Sequence, residues 1–434
     1  MRSKSFNLRT IISKPISDVS TFKKQLLHWS NPINEVVFLD SNNYQQKYST
    51  FDALLAVEAF TTIKTDFKNA FEDLYHYQSR TKDWLFGYFS YDLKNDIENL
   101  NSTNFDCLEF DDLFFFQPKK LFILKENLVE MHYLKLCDDE IESDFDEILS
   151  LTFNIQLPSS INIEQRISKQ NYLLKVSKIL EHIHRGDLYE TNFCMEFFAE
   201  NAQINPLDIY QKLNAISEPP FAVFFKNNFH YLLSASPERY LRKQGLKIIS
   251  QPIKGTAKRS DNFEEDLKSK LDLVSNPKER SENIMIVDLV RNDLSHTALK
   301  GSVQVEELCE AYTFKQVHQM ISTVVSEVDT ATSPIQILKS TFPMGSMTGA
   351  PKISAMQIIE ALEETKRGLY SGAVGYFTPI GDFDFSVVIR SILYNARYKY
   401  LSFSVGSAIT SLSVPDDEYE ECLLKAKAMF EVLS

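Results

Sequence analysis

Two spacings of hydrophobic residues alternate along this chain. Short apolar runs recur at residues 35–39 (EVVFL), 84–92 (WLFGYFSYD), 120–124 (KLFIL), 221–225 and 229–234. Runs of this length, rich in β-branched and aromatic residues and bounded by turn formers, predict buried strands. Gly87, inside the second run, marks a close approach of another backbone. Elsewhere apolar residues recur three and four apart, which predicts helices over residues 171–185, 278–289 and from 416 onward. The run 246–250 (LKIIS) meets Pro252, which fixes its own φ and pushes Gln251 toward extended geometry, so a tight turn is expected there. Residues 372–377 and 385–393 read as strands. Residues 401–404 read as a strand leading into small residues at 405–410 that would offer backbone N–H groups to a ligand. A glycine loop, 342–352, precedes a further helix, with Pro351 in its first turn and Thr348 as its cap. Residues 152–168 lack periodicity and carry Pro158-Ser159-Ser160, which predicts a linker or crossover.

Composition adds boundaries. At 434 residues and 44% hydrophobic, the chain can bury one large core or two to three modest ones. The net charge is −13 and no Lys/Arg block is present, which argues against nucleic acid as a partner. An anionic ligand would need local compensation from a metal, an Arg or Lys, or a helix N-terminus. The five cysteines are scattered without a C-x-x-C pair, which fits free thiols in a reducing compartment. No apolar run reaches the ~18 residues of a membrane span, and the N-terminus lacks a signal-peptide core, so a cytoplasmic protein with no membrane partner is expected.

All but one of the 12 glycines lie from Gly186 onward, which places candidate site chemistry in the C-terminal part. Lys254 sits between Ile253 and Gly255 at the end of a strand-like run. By position alone a solvent-facing loop lysine is the commoner reading. In an apolar pocket its pKa would fall and the amine would become a nucleophile or base. Glu238 follows Pro237 at a strand end and could be a general acid if burial raised its pKa. Glu279 and Glu282 share one helix face, and Glu418 and Glu421 repeat that spacing. Each pair alone is usually a solvated face. Together they offer oxygen donors for a hard cation such as Mg²⁺. Arg390 among apolar neighbours needs a partner, either a protein carboxylate or a carboxylate ligand held bidentately.

In order along the chain, the motifs SPER (236–239), PIKGT (252–256), SENIMIVDLVRND (281–293), TFPMGSMTGAPK (341–352), GAVGY (372–376), VIRS (388–391) and EYEECLLKAKA (418–428) resemble those of the chorismate-utilising enzymes. The resemblance is strong from about residue 171 and weaker before it, where GYFSYDL (87–93) is its clearest trace. It implies an α+β fold, a large two-layered antiparallel-sheet sandwich surrounded by helices. An N-terminal region, 1–160, would precede a chorismate-binding catalytic region, 165–434. PIKGT, with lysine where anthranilate synthases resemble PIAGT, points to the aminodeoxychorismate synthase component I subgroup. That subgroup's amino-transferring reaction feeds 4-aminobenzoate and folate synthesis. Anthranilate synthase component I and a non-catalytic chorismate-binding subunit are the alternatives.

By this resemblance Lys254 would be the covalent nucleophile and Glu238 the acid. Glu282 and Glu421 would ligate Mg²⁺ directly, with Glu279 and Glu418 acting through water. Gly255, Thr256, Thr348, Tyr376, Arg390, Gly406, Ala408 and Lys425 would bind substrate. Ammonia would come from a separate glutamine amidotransferase subunit, since no glutaminase domain fits in this length. Gln319 stands where many relatives carry a histidine, with His318 one residue earlier, so no catalytic histidine is assigned. Glu190 stands where water-using relatives place a lysine base, which argues against water as the nucleophile.

Overall fold

The structure is a computed structural model and describes residues 8–44, 47–152 and 161–434. The proline and serines of the expected linker, at 158–160, lie outside the described residues.

Two long strands, Ala53–Thr65 and Leu113–Lys125, pair antiparallel along their length and form a spine. From the first, one arm of sheet runs through Glu35–Asp40, Phe221–Asn227, His230–Ser236, Ser391–Asn395 and Tyr400–Thr410 to Glu190–Ala199. From the second, another arm runs through Leu85–Phe89, Ala373–Phe377, Phe383–Val387, Arg239–Gln244 and Lys247–Gln251 to Val317–Glu327. That last strand also takes Ile253–Lys258 and Gln304–Thr313. Every one of these pairings is antiparallel. Strands from before residue 160 and after residue 165 are therefore neighbours in both arms.

The arms face each other across an apolar core. Tyr88 meets Phe225 edge-on at 5.2 Å, and Val37, Val223 and Leu232 of one arm share a cluster with Phe86, Leu241 and Val374 of the other. Helices Val19–Ser30, Lys169–Arg185, Pro206–Ser217 and Pro415–Leu433 bury their apolar stripes on the outside of the first arm. Ala70–Thr81, Pro277–Ser295 and Pro334–Thr341 do so on the second. This is the layered α+β sandwich that the resemblance implied.

Local signals explain most elements. Ser168 caps Lys169–Arg185 by accepting from the Asn171 N–H, and Gly186, at φ +86°, ends it. Its buried residues Tyr172, Val176, Ile179 and Ile183 keep the helical spacing that was read from the sequence. Gly87 packs so closely on the facing strand that a Cβ there would overlap the backbone of Phe114 and Phe115.

Four expectations are corrected. Pro252 makes no tight turn: the strands on either side of it continue along the same partner, Lys247 opposite Glu327 and Ile253 opposite Ile321. A bulge between Ile253 and Thr256, with Gly255 at φ +95°, absorbs the irregularity. Residues 385–393 are not one strand. Phe383–Val387 ends, and Ser391–Asn395 begins after Arg390, which takes the left-handed φ of +50° and so moves the chain from one arm to the other. The strand read at 401–404 does not end there, because strand Tyr400–Thr410 runs on through 405–410, pairing Gly406 with Cys194 and Ala408 with Asn192. Their small size is a packing requirement, since a Cβ on Gly406 would overlap Asn192 and Cys194. Finally, Pro351 and not Thr348 stands at the N-cap of helix Lys352–Leu362.

Candidate active site

The ends of the two arms, with helices Pro277–Ser295 and Pro415–Leu433, enclose a cavity of about 380 Å³. Its wall includes Lys254, Glu238, Gly255, Thr256, Arg390, Gly406, Ala408, Lys425 and the four glutamates 279, 282, 418 and 421. Residues far apart in sequence are thus brought to one place by the sheet.

Lys254 lies on strand Ile253–Lys258 and is buried, not a solvent-facing loop residue. Its backbone is fixed from behind: the Asn283 amide donates to the Lys254 carbonyl at 3.2 Å and to that of Met320 at 3.3 Å. Its Nζ donates to Glu190 Oε1 at 2.7 Å. Burial works to lower the pKa of this amine, as expected from the sequence, but Glu190, then Glu282 and Glu421, outweigh it and hold the pKa above the ordinary lysine value. The expectation of a depressed lysine is therefore corrected. In this state Lys254 is an ammonium, and Glu190 is the group placed to take its proton.

Glu238 lies between strands His230–Ser236 and Arg239–Gln244 and is 4% exposed. Burial pushes its carboxyl up to about 7, opposed by a 2.6 Å hydrogen bond from the Ser346 hydroxyl and by the charge of Lys254. That is the environment of a carboxylic acid able to hold and release a proton near neutrality.

Arg390 faces the same cavity. Among the described residues no side-chain hydrogen bond or ion pair engages its guanidinium. Burial lowers its pKa to about 10, against the attraction of Glu238. An unpartnered guanidinium at a cavity wall is a ready bidentate site for a ligand carboxylate.

The two E-x-x-E helices do meet. The Lys278 ammonium lies 3.9 Å from Glu282 Oε1 and 3.5 Å from Glu418 Oε1, and Glu421 pairs with Lys425 at 2.6 Å. Lys425 also donates to the Gly406 carbonyl at 2.9 Å, tying its helix to the strand below. Burial pushes Glu282 up to about 7 and raises Glu279 as well, whereas Lys425 holds Glu421 below the usual carboxylate value. Glu282 Oε1, Glu418 Oε1 and Glu190 Oε2 are buried acceptors with no hydrogen-bond donor. Orphaned carboxylate oxygens are hard donors that suit a cation such as Mg²⁺. Among the described residues, however, no three acidic, His or Cys side chains are gathered to hold one ion as they stand.

Two sequence-derived assignments fall outside the cavity. Thr348 is fully buried, and its hydroxyl donates to the carbonyls of Met344 and Gly345 at 3.2 and 3.3 Å, closing a turn. Its own carbonyl accepts from the Asn192 N–H, so it holds the backbone beside the site. Tyr376 packs against Phe51, Trp84 and Phe86 and lines a separate cavity of about 60 Å³ with Arg239, Arg242 and Asp384. The tyrosine on the wall of the large cavity is Tyr370, six residues earlier, with its hydroxyl 3.7 Å from the Cys194 thiol. Sequence reasoning missed it. Gln319 lines the cavity, whereas His318 points away to Asp266 at 3.0 Å.

The cleft of this layered antiparallel body gathers a lysine–carboxylate pair, a near-neutral carboxyl, a guanidinium and four further carboxylates. The family model for chorismate binding enzymes matches residues 34–431, and the chain belongs to that family. It is 40% identical over 274 residues to the aminodeoxychorismate synthase of Streptomyces griseus, covering 62% of this chain but only 37% of that protein. With aminodeoxychorismate synthase component 1 of Bacillus subtilis it shares 30% identity over 387 residues, covering 86% and 80% of the two chains. With anthranilate synthase component 1 of Aquifex aeolicus it shares 31% over 380 residues, covering 83% and 76%. The crystal structure of anthranilate synthase component I from Streptococcus pneumoniae superposes with a TM-score of 0.77 at 24% identity, over 89% of this chain and 95% of that one, a likeness of fold. No helix among the described residues is long and apolar enough to cross a membrane.

Proposed function

We propose that this chain is the component I of an aminodeoxychorismate synthase, replacing the C4 hydroxyl of chorismate with an amino group in two displacements. The observation that carries the reading is a buried Lys254 paired with Glu190 in the same cavity as Glu238. Glu190 takes a proton from Lys254, whose amine then adds at C2 of chorismate. Both conjugated ring double bonds shift, and the C4 hydroxyl leaves as water with the proton held by Glu238. Ammonia next adds at C4, both double bonds shift back, the C2–N bond breaks and Lys254 regains its proton. Chorismate and ammonia become 4-amino-4-deoxychorismate and water, and one poor displacement has become two easier ones.

Arg390 and Tyr370 would grip one substrate carboxylate, with the backbone from Gly406 to Ala408 forming the floor. Glu282 and Glu421 would hold Mg²⁺ directly and Glu279 and Glu418 through water. The bound ion would neutralise the ring carboxylate in a chain of net charge −13. A glutamine amidotransferase subunit would supply the ammonia, a partner that the words "component 1" in the name of the Bacillus subtilis relative support. The 31% identity to an anthranilate synthase supports the second reading, amination at C2.

The covalent step is tested by incubating the protein with chorismate and Mg²⁺ without ammonia and mapping peptides by mass. The proposal requires Lys254 to carry chorismate less one water. A modified-free Lys254 under conditions that give turnover when ammonia is added would reject it.

A further inference from the structure

Lys278 is a cation set between two of the four carboxylates, one from each helix, and neither E-x-x-E pattern includes it. Its backbone is fixed in the first helical turn. Pro277 stands at the helix start, and the Asn276 carboxamide accepts from the Lys278 N–H at 2.9 Å and the Glu279 N–H at 3.3 Å. From that base the side chain reaches across to the other helix. Its ammonium lies between Glu282, on its own helix, and Glu418, on Pro415–Leu433. Both facing oxygens, Glu282 Oε1 and Glu418 Oε1, are buried and accept no hydrogen bond. At 3.9 and 3.5 Å the ammonium neutralises them by charge without satisfying them. Glu418 is 2% exposed, whereas the Lys278 side chain is 39% exposed and has an open route to solvent.

From this we infer that Lys278 is a tethered counter-cation that occupies the approach to the carboxylate cluster and must swing out before a divalent cation can enter. The inference rests on the reading of the cluster as a cation site. It explains why no three carboxylates are yet gathered for one ion: Lys278 and Lys425 each hold part of the set. Two like charges compete for one set of oxygens, so the lysine weakens the affinity for the ion. It also protects the empty cluster from mutual repulsion, because close carboxylates that lose a counter-charge repel across a poorly screened interior.

The test is direct titration of the full chain with Mn²⁺, reading free ion by electron paramagnetic resonance, with Mg²⁺ competition and no substrate. Wild type is compared with Lys278→Met, which keeps the stem and removes the charge, and with Lys278→Gln as a second route should the first fold poorly. Thermal midpoints are read in chelator and in saturating Mg²⁺. The expected result is Mn²⁺ affinity at least about fivefold tighter in both variants, with a midpoint lower than wild type in chelator and a difference that closes in Mg²⁺. Unchanged or weaker affinity in variants that fold, with wild type binding one ion, would overturn the role of Lys278 and leave the cation site standing. Absence of any binding by wild type would overturn both.

Discussion

Replacing Glu190 by Gln takes the charge from the one carboxylate that, among the described residues, pairs with the Lys254 ammonium. Glu190 is 1% exposed and Lys254 8%, so neither charge can be replaced by bulk water. Removing one partner of a buried pair costs about 3–5 kcal/mol, mostly because the other charge is left unmatched, whereas replacing both partners by neutral groups is often close to neutral. Glu190→Gln and Lys254→Met should therefore each destabilise by about 3 kcal/mol, and the double variant by no more than either single. The expected coupling is about 3 kcal/mol or more, far beyond the few tenths that separate independent sites. The assay is chemical denaturation of the four proteins at pH 7. The pH sign follows from the raised lysine pKa. A group whose folded value lies above its unfolded value stabilises fully below the unfolded value, so the pair contributes in full at pH 7 and is lost only as pH climbs past the ordinary lysine value of 10.5. Additive single effects, or a coupling below about 0.5 kcal/mol, would refute the argument that this pair is buried and charged.

Further outcomes follow from other residues. Glu238, pushed up to about 7, should give turnover that falls as pH rises through that value, and Glu238→Gln should be slow and lack that limb. Because folded Glu238 keeps its proton longer than the unfolded chain does, its contribution to stability declines as pH rises from 4.5 to about 7, which denaturation at several pH values will show. Divalent-cation affinity should increase from pH 6 to 8 as Glu282, also near 7, loses its proton, measured by calorimetric titration. Tyr370→Phe should raise the KM for chorismate while Tyr376→Phe leaves it unchanged, since only Tyr370 lines the large cavity. Gly406→Ala should lose about 2 kcal/mol or more of stability through overlap with Asn192 and Cys194, read as a lowered Tm.

What could be read from sequence was chemistry carried by residue type in a local motif. Lys254 next to a glycine, Glu238 after a proline and the repeated E-x-x-E spacing each announce themselves within a few residues. What could not be read depends on partners far along the chain. The pKa shift of Lys254 was expected downward from burial alone, and Glu190, 64 residues earlier, reverses it. Tyr370 and Tyr376 stand in one glycine-rich segment, and only the pairing of strand Ala373–Phe377 with Leu85–Phe89 and Phe383–Val387 decides which faces the large cavity. The break at Arg390 falls inside a run whose apolar residues continue on both sides, and its cause is a backbone change from one arm to the other that no glycine or proline marks. The small residues at 406–408 read as a place where a ligand meets backbone, although the crowded facing strand also requires a small residue at Gly406.

The central claim is tested most directly by product analysis of the purified chain with chorismate, Mg²⁺ and an ammonium salt, with and without an added aminodeoxychorismate lyase. The account predicts 4-aminobenzoate only when the lyase is present. Fluorescent anthranilate formed without the lyase would contradict it, placing the new amino group at C2 and removing Lys254 from the role of covalent nucleophile.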